Sequence, residues 1–290
     1  MRVNVLGSAP YAPLLVMRER ELVQQRVPGL TVEWKVIPKT EAIHEALLTG
    51  GLDVAIGTAT TFLQFRASGV PVRALAAVSE LPTGIVTNRP AARSLRDLGP
   101  ADRIAVPDAG DHLATIFRLA ALREFGDARA LDGLLVSMPI VDGFAALRAR
   151  RDVSAQALIA PYLEVAQDTT GLRRLDDPAA MPRVTTLVAY TLPEFRERRR
   201  LLYDAFVDAL AEAGPLVTAA PETTMKLLNE RDDLDLSSLT LAAYLSRPGV
   251  VYGGDLRGLG DLARLLSLAD LIRSPLPAPG ELTFEPSAGA

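Results

Sequence analysis

Short apolar runs alternate with stretches of helical period from the first residue onward. RVNVLG predicts a buried strand, and YAPLLVMRERELVQQ, apolar at helical spacing, predicts a helix. LTVEWKVIP predicts a second strand behind the Pro28-Gly29 turn. TEAIHEALLTG predicts a helix that Thr40 caps and the Gly50-Gly51 pair ends. LDVAIG is the third strand, ATTFLQFRASG a helix stopped by Gly69, and VPVRALAAVS the fourth strand. This βαβαβαβ order implies an α/β fold with a parallel, doubly wound sheet and right-handed crossovers.

TGIVTNR reads as an extended crossing, after which the alternation restarts. RIAVP, LDGLLVSMP and VSAQALIA predict strands; GDHLATIFRLAALREFG, VDGFAALRARRD and PYLEVAQD predict helices. After a polar turn, RVTTLVAYT is strand-like, and from Pro193 the pattern is mostly helical. The tail SPLPAPGELTFEPSAGA is rich in Pro and Gly and predicts loose attachment. The expected organisation is two doubly wound α/β lobes joined by a two-strand hinge: residues 1–86 with 187–290 form lobe I, and 87–186 form lobe II. One phrase occurs twice. ALLTGGLDVAIG at 46–57 and AALRARRDVSAQALIAP at 145–161 each run a helix end through a polar break and an Asp-Val step into a small-residue strand. The repeat fits two similar units.

Composition narrows the chemistry. The 290 residues are 49% hydrophobic and 23% charged, with a net charge of −4, so no global basic field recruits nucleic acid. Cysteine is absent, which removes disulfides, thiolate metal sites and thiol nucleophiles. With only His44 and His112, a multi-histidine metal site is not expected, and no metal or cofactor is. No 18-residue apolar run predicts a membrane span. MRVNVLGSAPYAPLLV makes a poor signal peptide, because Asn4, Ser8 and two prolines interrupt it. The compartment follows from the native start: periplasmic if an export segment was removed, cytoplasmic if Met1 is native.

EALLTGGLDVAIG, GVPVRALAAVSE, TGIVTN, SLRDLGPADRIAVPDAGD and AALRARRDVSAQALIAPYL together resemble type II periplasmic solute-binding proteins. The nearest group is the nitrate/sulfonate/taurine type, which shares its fold with pyrimidine-precursor proteins. The family pattern runs G-x-x-D-x-A, then G-x-P-V, then D-L-x-G-x-x-I-A-V-P; here DLGPADRIAV stands in for the last with an altered turn. The resemblance covers roughly residues 1–275 and rests on scaffold motifs. It implies a monomeric two-lobed clamp that shuts on a small ligand and delivers it to an ABC-transporter permease.

In such sheets ligands sit beyond the carboxyl ends of the strands, beside helix starts. Those positions give Ser8 and Tyr11 after the first strand, and Thr58 and Thr60 (with Thr61) after the third. Ser79, Glu80 and Thr83 flank the crossing. In the second lobe Gly110 permits a turn, Asp111 or Asp108 can cap, and His112 lies in the first helical turn. Asp142, Tyr162 and Tyr190 complete the candidates. Trp34 and Lys35 read as scaffold, His44 as a surface side chain, and ERRRLL at 197–202 as a solvated basic face. Arg66, Arg89 and Arg118 are the arginines nearest the ligand-bearing elements. Two functions compete: a binding protein for a small polar or anionic solute, or an enzyme on the same scaffold (decarboxylase or pyrimidine-precursor type). A cytoplasmic ligand sensor is a third. His112 with Asp111 is the one acid/base candidate, without a nucleophile or metal beside it, and this favours the binding protein.

Overall fold

The computed structural model describes residues 1–176, 183–272 and 278–284. The chain divides into two compact units. Unit 1 holds Met1–Glu80, Arg183–Ala263 and the described part of the C-terminal segment; unit 2 holds residues 81–176 and Arg264–Ile272. The strands of unit 1 begin with β1 (Arg2–Asn4), β2 (Glu33–Lys35), β3 (Ala55–Thr58) and β4 (Arg73–Glu80). Unit 2 contains β5 (Thr83–Thr87), β6 (Ile104–Val106), β7 (Leu135–Ser137), β8 (Ala155–Ile159) and β9 (Arg173–Arg174). β10 (Leu187–Thr191) and β11 (Val251–Tyr252) return to unit 1.

Both units use one strand order. In unit 2 the sheet runs β7-β6-β8-β5-β9. In unit 1 the parallel pair β1-β2 meets the sheet β11-β4-β10-β3 through a parallel bridge between Val3 and Val54. Each unit thus places its second, first and third strands side by side, then a strand that arrives from across a chain crossing. The wholly parallel sheet expected from the alternation is not what forms. β10 lies between β3 and β4 and is antiparallel to both; β5 is antiparallel to β8 and β9. β5 belongs entirely to the sheet of unit 2, so the first crossing occupies residues 81–82 ahead of it.

The repeated phrase marks the third strand of each unit. Val54 and Val153 are both buried at the entry to β3 and β8. The two aspartates do different work. Asp53 is buried and accepts from the Arg2 backbone N–H at 2.7 Å and from its guanidinium at 2.9 Å, with Arg199 at 3.3 Å. Asp152 is exposed at φ +56°, turning the chain into β8.

Three local expectations change. The helix Thr40–Leu48 starts with Thr40 as its first residue behind Lys39, and no side chain caps it. His44 on that helix is half-buried, its ring stacked at 3.7 Å on Phe65. The tail is anchored where it is described. Leu282 is 1% exposed, its carbonyl accepts Ala74 N–H at 2.8 Å, and Thr283 forms an isolated parallel bridge with Ala74. β11 covers β4 only at Ser79 and Glu80, which leaves the Ala74 end open for that bridge. The Phe284 ring lies 5.9 Å from the Arg73 guanidinium and 5.2 Å from that of Arg196. The basic run is therefore partly engaged: Arg196 also stacks on Tyr203, Arg199 meets Asp53, and Arg200 pairs with Asp204.

In unit 2 the helix His112–Phe125 lays Leu113 and Phe117 on Ile85, Ile104, Val106 and Ala157, the centre of that unit's core. Its N-terminus is thereby fixed at the carboxyl end of β6.

Candidate functional site

The carboxyl ends of β1, β3 and β4 collect on one edge of unit 1, because β1 and β3 run parallel and β3 and β4 are both antiparallel to β10. Register makes that edge flush: Leu187 lies opposite both Thr58 and Ser79. Ser8 and Tyr11 follow β1, with Ser8 part-exposed and Tyr11 buried in a short 3-10 turn, Ala9–Tyr11. Thr58 ends β3 and caps the helix Ala59–Ala67. Its Oγ1 accepts Thr61 N–H at 3.3 Å and lies 2.9 Å from Thr60 Oγ1 and 3.0 Å from Thr61 Oγ1. A Cβ on Gly57 would stand 3.1 Å from the Tyr190 hydroxyl and 3.2 Å from Thr61 Oγ1, so a side chain there would press both hydroxyls back by a few tenths of an ångström. Ser8, Tyr11, Thr58, Thr60 and Tyr190 are thus placed in one region of unit 1.

This edge offers hydroxyls more than free helix-start donors for an anion. Ala59 N–H donates to Thr186 O at 3.0 Å and Thr61 N–H to Thr58, which removes two of the helix-start donors an anion would use. Burial pushes the Tyr11 and Tyr190 phenols up, the latter also feeling Tyr11, so both stay neutral donors. Tyr190 is completely buried against Phe62. Burial lowers the pKa of His44.

The equivalent edge of unit 2 gathers the other candidates. β6, β7 and β8 run parallel, and Thr83 at the start of β5 lies opposite Ile159 at the end of β8. After β6 comes the loop to Asp111: Asp108 Oδ1 accepts Gly110 N–H at 2.8 Å, and Asp111 accepts Leu113 N–H at 2.6 Å, capping the helix. His112 is 4% exposed, and burial lowers its pKa to about 4, so it is a neutral imidazole near pH 7. Burial raises the pKa of Asp111. Asp142 is exposed in the first turn of the helix Ile140–Ala149, and Tyr162 is buried edge-on to Phe144 at 5.6 Å. Thr83, Gly110, Asp111, His112, Asp142 and Tyr162 all belong to this edge. The Asp111 carboxylate serves as a helix cap, which weakens its use as a partner for an acid/base histidine.

The arginines expected nearest these elements are engaged. Arg118 forks onto Asp132 at 2.9 and 3.0 Å and donates to Ala109 O at 2.6 Å, bracing the loop before Asp111. Arg89 pairs with Asp102, and Arg66 donates to Val70 O at 3.4 Å. Among the described residues no group of three or more His, Asp or Glu is placed to hold a metal ion.

Two polar groups carry more weight than sequence reasoning gave them. Ser79 is completely buried with no partner for its Oγ among the described residues, in a recess shared with Thr185, Gly253 and Gly254. Glu230 was missed. It is 5% exposed, accepts Ala9 N–H at 2.9 Å through Oε1, and its Oε2 has no partner among the described residues. Burial raises its pKa to about 7. NERDD reads locally as a polar helix end, and nothing nearby in sequence signals the contact with Ala9.

The units define a two-part α/β protein of the periplasmic-binding-protein fold, each part with strand order second, first, third, antiparallel guest, fourth. Solved structures of that fold cover nearly the whole chain. The periplasmic aliphatic sulphonate binding protein SsuA from Escherichia coli superposes with a TM-score of 0.74 at 19% identity, over 95% of this chain and 94% of that one. The alkanesulfonate-binding protein SsuA from Xanthomonas axonopodis pv. citri, solved bound to MOPS, gives 0.72 at 18%, over 95% of both chains. The Candida albicans CA3427 gene product, described as having the generic periplasmic binding protein fold, gives 0.64 at 15%, over 97% and 99%. No protein-family profile matches the chain, and the comparison with curated proteins finds no match.

Proposed function

We propose that the protein is a solute-binding protein. It captures a small polar or anionic organic solute, of sulfonate, carboxylate or similar chemistry, by hinge closure and hands it to an ABC-transporter permease outside the cytoplasm. The supporting observation is the pair of matching sheet edges, each lined by polar groups at the carboxyl ends of its strands, where ligands of such sheets bind. Ser8, Tyr11, Thr58, Thr60 and Tyr190 supply one half of the site; Thr83, Gly110, Asp111, His112, Asp142 and Tyr162 supply the other. The proposed hinge is formed by the crossings after Glu80 and before β10, with the segment Arg264–Ile272 crossing between the units as well. The fold likeness to sulfonate-binding proteins supports the solute class, and no described helix is long and apolar enough to cross a membrane. Hydroxyls, neutral phenols and a capped helix start bind without chemistry, which supports a non-enzymatic role.

The test is differential scanning fluorimetry against sulfonates, carboxylates and pyrimidines. A solute present at a hundred times its Kd adds about 2.7 kcal/mol to stability and raises Tm. The expected result is an upward shift with a sulfonate or carboxylate that Thr58→Val reduces, and recovery of the solute unchanged. Consumption of the solute, or no shift with any of these classes, overturns the reading.

A further inference from the structure

Residues 229 and 230 hold the loop after β1 from two directions. Asn229 N–H donates to Gly7 O at 2.7 Å, and Glu230 Oε1 accepts Ala9 N–H at 2.9 Å. The approach is close enough that a Cβ on Gly7 would lie 2.7 Å from Asn229 Oδ1, so the loop is shaped to receive this segment. The held stretch, Gly7–Tyr11, carries Ser8 and Tyr11. Glu230 reaches it from 221 residues away.

The carboxyl that makes this contact is poorly furnished for a charge. Besides Ala9, the donor available to it is its own backbone N–H, and Oε2 has no partner among the described residues. A buried carboxylate needs donors on both oxygens or an opposing cation. Of the ionisable groups on the elements around it, Asp233 opposes its ionisation from the same helix, Glu230–Asp233, whose sequence also carries Arg231 and Asp232. The β1 loop brings only the Tyr11 phenol, and the next helix, Ser238–Leu245, only Tyr244. The preceding helix, Pro221–Met225, carries Glu222, with Lys226 just beyond it.

We infer that Glu230 is a proton-operated clamp on the β1 loop: protonated, it stays buried and holds Gly7–Tyr11 in place; ionised, it draws water or swings out, and the loop loosens. Glu230 is thus a positioning residue for the solute site, acting through Ser8 and Tyr11. In this it builds on the proposed function. The direction follows from linkage: the pKa is about 7 when clamped against 4.5 for a free carboxyl. The clamp is therefore at full strength below pH 4.5, weakens as pH rises to about 7, and changes no further above that.

Hydrogen–deuterium exchange with mass spectrometry on the full chain reads the loop without any solute. After correction for intrinsic exchange rates, protection of the peptide covering residues 5–15 is expected to fall roughly tenfold per pH unit between pH 5 and 7. It then levels, while a control peptide over residues 55–67 stays flat. Glu230→Gln, which mimics the protonated acid, is expected to hold protection high and flat. A flat wild-type profile overturns the clamp whether or not the variant folds, and so does a slope that survives in Glu230→Gln. Either outcome leaves solute capture standing, and absence of any solute-induced Tm shift leaves the exchange profile as expected.

Discussion

His112 makes acid stability a quantitative test of the unit 2 edge. Its ring is 4% exposed, and burial holds its pKa at about 4 against 6.5 for a free imidazole. An unfolded chain takes up a proton there near pH 6.5, while the folded chain resists it until about pH 4. Over that window the unfolded state binds more protons, so stability falls as pH falls, and the contribution is complete only above pH 6.5. At about 1.4 kcal/mol per pH unit, the whole window is worth about 3 kcal/mol. Replacing His112 with Leu removes the titration and keeps an apolar side chain of similar size. Urea unfolding of both proteins from pH 7.5 to 4 separates this effect from the carboxylates both share, including Asp53 and Asp102, whose pKa values are lowered. The expected result is a gap that moves about 3 kcal/mol in favour of His112→Leu as the pH drops. Parallel stability curves would show that the imidazole at this edge is not buried as a neutral group.

Two further substitutions test packing. Leu282→Ala should cost about 2–4 kcal/mol in urea unfolding at pH 7, the range for a buried leucine, since Leu282 is 1% exposed beside the bridge between Thr283 and Ala74; a cost below about 0.5 kcal/mol would mean the tail is undocked in solution. Gly57→Ala should cost about 1–3 kcal/mol, because its Cβ would meet the Tyr190 hydroxyl at 3.1 Å and Thr61 Oγ1 at 3.2 Å. Thermal unfolding that leaves Tm unchanged would show that these hydroxyls do not close on the glycine.

Local pattern recovered much of the scaffold. Strand and helix periods placed β1 to β4 and β6 to β8, and of the two aspartates the sequence offers as caps, Asp108 and Asp111, it is Asp111 that caps, a local matter of a neighbour two residues away. The duplicated Asp-Val phrase marked the third strand of each unit, for a reason that is topological and not chemical: both Val54 and Val153 enter a buried strand. What escaped was long-range. Nothing in LVAYT says that it will insert antiparallel between β3 and β4, since that order is decided by pairing with strands more than a hundred residues earlier. Glu230 looks like one more charge in a polar helix end until its carboxyl is found on Ala9. Pro and Gly made the tail read as loose, yet Leu282 and Phe284 are the residues that dock it.

The inserted strands also set an order of assembly on the ribosome. The described strands of unit 2 lie within residues 83–174, whereas unit 1 needs β10 and β11 from beyond residue 186. A nascent chain that has emerged as far as residue 176 carries every described strand of the later sheet and only part of the earlier one. Synthesis therefore delivers the described strands of the middle sheet first, while β3 and β4 wait for β10, a partner not yet translated, and the middle unit waits in turn for Arg264–Ile272.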